Sequence, residues 1–332
     1  MPLPLTPLFE PKNVWDAVTA GLAPGQVDTA FLQASVRRVD GCHQDFEVGT
    51  SPSGISIDPY TRLPAYCAGR LPLQLLLMLL LSENDVGWDA RCSDLLPEFD
   101  GCWVGSLSLD EIVLHRAGLH EFNGIAARYL SHADIDAAML ALSPSTSEPW
   151  RYADYAPGHV IGRLVERLDG QPYLAAIDAR VGVEPPGVHA TFTDLRSGVP
   201  YAALGDITLH NLSRRNAAFG WHTSAATLAS RTLELARQAN RLDALPVNPG
   251  SPIAVNAWDA GLERPLALNH FGNTDFLSSG LVGLSGQGGL AFCGLSPDLT
   301  TAVSFIVSPA LPTAEALGRS ARILESLYPI RR

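Results

Sequence analysis

Tyr66-Cys67-Ala68-Gly69-Arg70 runs straight into Leu71-Pro72-Leu73-Gln74-Leu75-Leu76-Leu77-Met78-Leu79-Leu80-Leu81. The apolar run reads as a buried helix, with a thiol just before it or in its first turn. Arg70 follows Cys67 by three positions, so the two share a helical face. The start of a helix carries partial positive charge, and a nearby guanidinium adds to it. Both effects favour thiolate over thiol, which is how a reactive cysteine is made. The competing reading is a buried cysteine that acts as a small hydrophobe. The run is too short to span a bilayer and holds Pro72 and Gln74, so no membrane segment is expected.

Upstream, residues 13–38 read as an amphipathic helix pair split by Gly21-Leu22-Ala23-Pro24-Gly25. Val14, Ala17 and Val18, then Ala30, Phe31, Ala34 and Val36, form the buried face. Residues 46–57 alternate loosely around Gly49, Pro52 and Gly54, and read as short strands joined by turns. Downstream, Asn84 is placed at a C′ position that ends the central helix. Leu95-Leu96-Pro97-Glu98-Phe99 follows. Ser108, with Glu111 three residues on, predicts a capping box that starts a helix running to Gly118.

Further along come Trp150-Arg151-Tyr152-Ala153-Asp154-Tyr155 and a helix carrying Gly162, Glu166 and Gly170. Residues 223–244 read as a long amphipathic helix. The proline-rich run 246–252 marks a return between subdomains. Strands are predicted at 253–258, 265–269, 280–285, 289–295 and 301–307, with a last helix at 313–327.

This order of blocks resembles the serine β-lactamase, penicillin-binding protein and esterase superfamily, in particular its class C and esterase-like branch. The resemblance covers about residues 50–330, by motif placement. Leu95–Phe99 and Val113-Leu114-His115-Arg116-Ala117-Gly118-Leu119 match the family's blocks in order and register. The spacing then puts Cys67 at the nucleophile serine and Arg70 at the motif lysine. Tyr152 falls at the catalytic tyrosine, with Tyr155 as the alternative register, and Asp154 replaces the family's asparagine. Leu284-Ser285-Gly286 falls at the Lys/His-x-Gly motif of an inner strand. The resemblance implies an α/β (α+β), transpeptidase-like fold: one domain spanning 1–332, with an antiparallel sheet flanked by helices and a mostly helical subdomain. The sheet subdomain is expected from about 1–66 and 246–332, the helical one from about 67–245.

In that family a lysine acts as base on a serine. Arginine stays protonated and cannot. A thiolate, however, needs a cation to stabilise it and no base to attack. The replacement of Ser-x-x-Lys by Cys67-x-x-Arg70 is therefore chemically coherent. Cys67 would attack an acyl carbon, Arg70 would hold the thiolate, and Tyr152 or Asp154 would carry protons. Cys67 and Gln287 would hold the oxyanion through their N–H groups, with Ser285 lining the substrate. Leu284 and Asp154 favour the opposite reading, a catalytically silent binding protein. A cyclase or isomerase reusing the pocket is the third reading.

Net charge is −11 with 23 Lys+Arg against 34 Asp+Glu, which argues against a nucleic-acid surface. The five cysteines (Cys42, Cys67, Cys92, Cys102, Cys293) lack a Cys-x-x-Cys pair, so neither a zinc site nor a disulfide framework is expected. The histidines show no ligand spacing. No cofactor and no metal are expected; the partner is a small-molecule substrate, and the oligomeric state stays open. The start Met1-Pro2-Leu3-Pro4-Leu5 lacks a basic segment followed by an apolar one. A cytoplasmic protein acting on a small metabolite ester, amide or thioester, in a specialised biosynthesis, is the resulting expectation.

Overall fold

A computed structural model describes residues 7–50, 56–113, 119, 132–143, 156–182, 217, 222–241, 281–286, 289–296, 298–309, 311 and 313–329. Its frame is a five-stranded antiparallel sheet built from β1 (Phe31–Arg38), β2 (His43–Gly49), β5 (Val282–Gly286), β6 (Ala291–Leu295) and β7 (Thr301–Ser308), in the order β2-β1-β7-β6-β5. An early hairpin and a late meander meet where β1 pairs β7, Ala34 opposite Phe305. A two-stranded ribbon joins β3 (Leu63–Pro64) to β4 (His222–Thr223).

β1 corrects the sequence reading, which placed a second helix there. Leu32, Ala34 and Val36 alternate with Gln33, Ser35 and Arg37, the period of a strand with two different faces. Helix α1 (Pro11–Thr19) is as expected, followed by the one-turn α2 (Pro24–Val27). Asn84 is another correction. It caps α3 (Arg70–Glu83) at φ −104°, its side chain donating to the Leu80 carbonyl, and Asp85 takes the left-handed turn instead.

One sheet face is apolar. Leu32, Ala34, Val36, Val303, Phe305 and Phe292 lie under α1 and the last helix, α11 (Thr313–Leu327), where Phe292 and Phe305 stack at 5.9 Å. The expected span of that last helix is the observed one. The other face mixes apolar and polar groups beneath α10 (Ala225–Arg241). There Ser304 Oγ donates to the Ala225 carbonyl, and Thr232 Oγ1 lies 3.2 Å from Cys293 Sγ.

α3 is the core of the helical layer. Every residue from Arg70 to Leu81 is buried, as a helix apolar on all sides must be. It packs against α10, α8 (Ala156–Asp169) and α9 (Tyr173–Val181). Arg180 on α9 grips Glu83 at the end of α3 through two bonds of 2.6 and 2.7 Å, and Arg231 on α10 pairs with Asp178 on α9. Shorter helices complete the layer: α4 (Cys92–Leu95), α5 (Trp103–Ser106), α6 (Leu109–Val113) and α7 (His132–Leu140). One half of the expected capping box starts α6: Glu111 Oε2 accepts from the Ser108 N–H at 2.9 Å, and the Ser108 hydroxyl donates to the same oxygen at 2.9 Å. Gly118, its expected end, lies outside the described residues, as do the expected strands at 253–258 and 265–269.

Candidate active site

Cys67 sits in a 3-10 turn, Tyr66–Gly69, that leads directly into α3. The Arg70 N–H bonds back to the Ala68 and Cys67 carbonyls, so turn and helix form one continuous element. Tyr66 holds φ at 48°, a conformation that a bulky residue adopts only under constraint. The strained residue stands immediately before the thiol.

The constraint comes from β5 and β6, against which the turn packs. A Cβ on Gly286 would stand 2.7 Å from Tyr66 Cβ and 2.9 Å from the Ala65 carbonyl oxygen. Only glycine lets the strand approach this closely. That gives a physical reason for the glycine in Leu284-Ser285-Gly286. A second clasp fixes the end of the following turn. Gly289, at φ 87°, lies against α11, where its carbonyl accepts from Ser320 Oγ at 3.2 Å.

The loop before Cys67 is anchored as firmly. Gln33 is buried on the mixed face of β1. Its Nε2 donates to the Thr61 carbonyl at 2.8 Å and to the Asp58 carbonyl, and its Oε1 accepts from the Ala225 N–H at 3.1 Å. One side chain thus ties β1, the loop entering the turn and the first residue of α10.

Cys67 and Arg70 stand three positions apart across the junction of the turn and α3, and both are buried, at 8% and 1% exposure. Leu284 shares its sheet face with Gly286 and Cys293, the face that the turn packs on, and is buried there. Ser285 lies on the opposite face, paired with Phe292, and its Oγ is 3.5 Å from the Ala291 carbonyl oxygen. Tyr152, Asp154 and Gln287 lie outside the described residues. Sequence reasoning passed over Gln74, buried one helical turn beyond Arg70. Its signal was present as the one uncharged polar residue in the leucine run.

Two of the other cysteines are disfavoured as thiolates by burial. Burial pushes the Cys92 and Cys293 thiols up to about 12. Cys42 is raised by its hydrogen bond to Asp40. Cys102 donates to the Phe99 carbonyl. Among the described residues no group of three or more His, Cys, Asp or Glu is arranged to hold a metal ion, and no helix is long and apolar enough to cross a membrane.

A family model described as Beta-lactamase matches residues 19–328. No curated protein matches the sequence. Solved structures share the fold at low identity. A penicillin-binding protein homolog from Caulobacter crescentus is 15% identical, with 96% of each chain covered and a TM-score of 0.72. A D-amino acid amidase from Ochrobactrum anthropi SV3 is 16% identical, covering 97% of this chain and 99% of its own at 0.64. A D-alanine carboxypeptidase AmpC from Burkholderia cenocepacia is 16% identical, covering 96% and 100% at 0.60.

Proposed function

The chain belongs to the β-lactamase family, and from that premise we propose an acyl-transfer enzyme, a hydrolase or acyltransferase, with Cys67 as its nucleophile. The observation that carries the proposal is the seating of Cys67. The thiol follows a strained Tyr66, on a turn held against Gly286, with Arg70 opening the helix behind it. Fold relatives named as an amidase and a carboxypeptidase support acyl chemistry on this scaffold.

The substrate is a small ester, amide or thioester. The Cys67 thiolate attacks its carbonyl carbon, a C–S bond forms, and the carbonyl electron pair moves to oxygen. The Cys67 and Gln287 N–H groups hold that oxyanion. Its collapse expels the leaving group, which takes a proton from Tyr152 or Asp154. Water or a second acceptor, losing a proton to Tyr152, then attacks the thioester and returns the thiolate. Arg70 stays charged throughout and balances the sulfur anion. At Ser285 only the β5 backbone borders the substrate, because the side chain lies on the sheet face away from the turn.

A second reading rests on Leu284. A buried leucine where relatives carry a cation or imidazole removes a polar group from the pocket, as in a binding protein that no longer turns over. Turnover separates the two. With p-nitrophenyl acetate as probe, Cys67→Ala is expected to lower the rate at least about a hundredfold. Full turnover in Cys67→Ala, with the fold intact, excludes covalent catalysis at this position.

A further inference from the structure

α3 carries two polar heads within its buried stretch, Arg70 and Gln74. They stand four residues apart, on one helical face. Helical side chains tilt toward the N-terminus, so Gln74 leans over the turn that bears Arg70 and, beyond it, Cys67. Gln74 is 1% exposed, and its Oε1 is buried with no hydrogen-bond partner among the described residues. The contrast with Gln33 is informative. Equally buried, Gln33 spends its amide on three backbone partners. An amide acceptor left open in an apolar helix costs stability, and leucine, the residue on either side of it, would fill the place without that cost.

We infer that Gln74 is a positioning residue for the reactive thiol, and that its Oε1 accepts an N–H of the Arg70 guanidinium when the Cys67 thiolate forms. The guanidinium is a rigid fork, and its value to an anion depends on where the fork points. An acceptor one turn below Arg70 holds the far edge of the fork and leaves the near edge for sulfur. This inference rests on the reading of Cys67 as the nucleophile, and extends it to what keeps that thiolate in place.

The test is the pH dependence of Cys67 alkylation by iodoacetamide, mapped by peptide mass spectrometry. It is done in a Cys42→Ser, Cys102→Ser background, because these two thiols are only partly buried. Gln74→Leu is expected to raise the alkylation midpoint by about one pH unit, slowing reaction below both midpoints about tenfold. Its melting temperature should stay level or rise. In Arg70→Met the midpoint is already high, and adding Gln74→Leu should move it no further, because the amide acts through the guanidinium. Gln74→Met serves if Gln74→Leu does not fold. A depressed midpoint that Gln74→Leu leaves in place overturns the inference and spares the nucleophile. A Gln74→Leu shift that persists in Arg70→Met also overturns it. An ordinary thiol midpoint in the parent protein, about 8.5, removes the nucleophile reading and this inference together.

Discussion

The two faces of the central sheet are built on different principles. The face under α1 and α11 is held by apolar contact: Leu32, Val36, Phe292, Phe305, Ile323 and Leu327 form one cluster. The face under α10 and the Cys67 turn is held by directed bonds through Gln33, Ser304 and Thr232, and by a close approach at Gly286. Apolar packing tolerates small shifts, whereas hydrogen bonds and backbone contacts fix position to fractions of an ångström. The chain puts its fixed geometry around the Cys67 turn and its non-directional packing on the opposite face. Buried arginines sharpen the contrast. Arg70, the first residue of α3, is buried three positions after Cys67. Arg319 on α11 is fully buried, and none of its guanidinium nitrogens has a hydrogen-bond partner among the described residues.

If this division is right, damage to the two faces should separate stability from thiol reactivity. Phe305→Ala opens a cavity on the apolar face and should cost about 3–5 kcal/mol in urea unfolding. Below the transition, Cys67 alkylation should be little changed. Gly286→Ala should cost less, about 2 kcal/mol, since a methyl group must push the turn off β5. It should nonetheless slow Cys67 alkylation sharply, and an unchanged rate would break the comparison.

Arg319→Met should act in the opposite direction. Burial, and then the charge of Arg322, pull the Arg319 pKa from 12.5 down to about 10. A base with a lowered folded pKa destabilises the native state below that pKa, and the penalty fades only as pH climbs from about 10 toward 12.5. At pH 7 the penalty is complete, so the substitution should stabilise by about 1 kcal/mol, read as a higher melting temperature.

The smallest effect is expected at Glu47 on the edge strand β2. Burial first, then Asp45 and Asp58, raise its pKa from 4.5 to about 7. The folded state therefore binds a proton that the unfolded state has already lost. Glu47 withdraws stability as pH rises from about 4.5 to 7, and the loss is constant above. Glu47→Gln should flatten that slope and raise stability by a few tenths of a kcal/mol at pH 8, after screening of a half-exposed group.

Much of this architecture was legible in local sequence. The leucine run could only be a buried helix, and Ser108 with Glu111 announced α6 through a cap whose two partners are three residues apart. The strands predicted at 280–285, 289–295 and 301–307 and α11 followed from alternation and periodicity in the same way. β1 was misread because Ala30, Phe31, Ala34 and Val36 satisfy a helical spacing as well, and the pairing that decides between them lies on β7, far along the chain. Cys67 and Arg70 were legible as a candidate pair, since both belong to one motif. What aims them was not. The left-handed Tyr66 and the contact at Gly286 arise only when β5 closes against the turn. Gln74 was visible but read as evidence against a membrane helix, because its open acceptor is a property of the packed state.

Acyl transfer to a thiolate on this turn can be caught by intact-mass spectrometry of the protein quenched during reaction with p-nitrophenyl acetate. The account predicts a stoichiometric acetyl adduct that maps to Cys67 and disappears in Cys67→Ala. An adduct on another residue, or label that persists undiminished in Cys67→Ala, would contradict it.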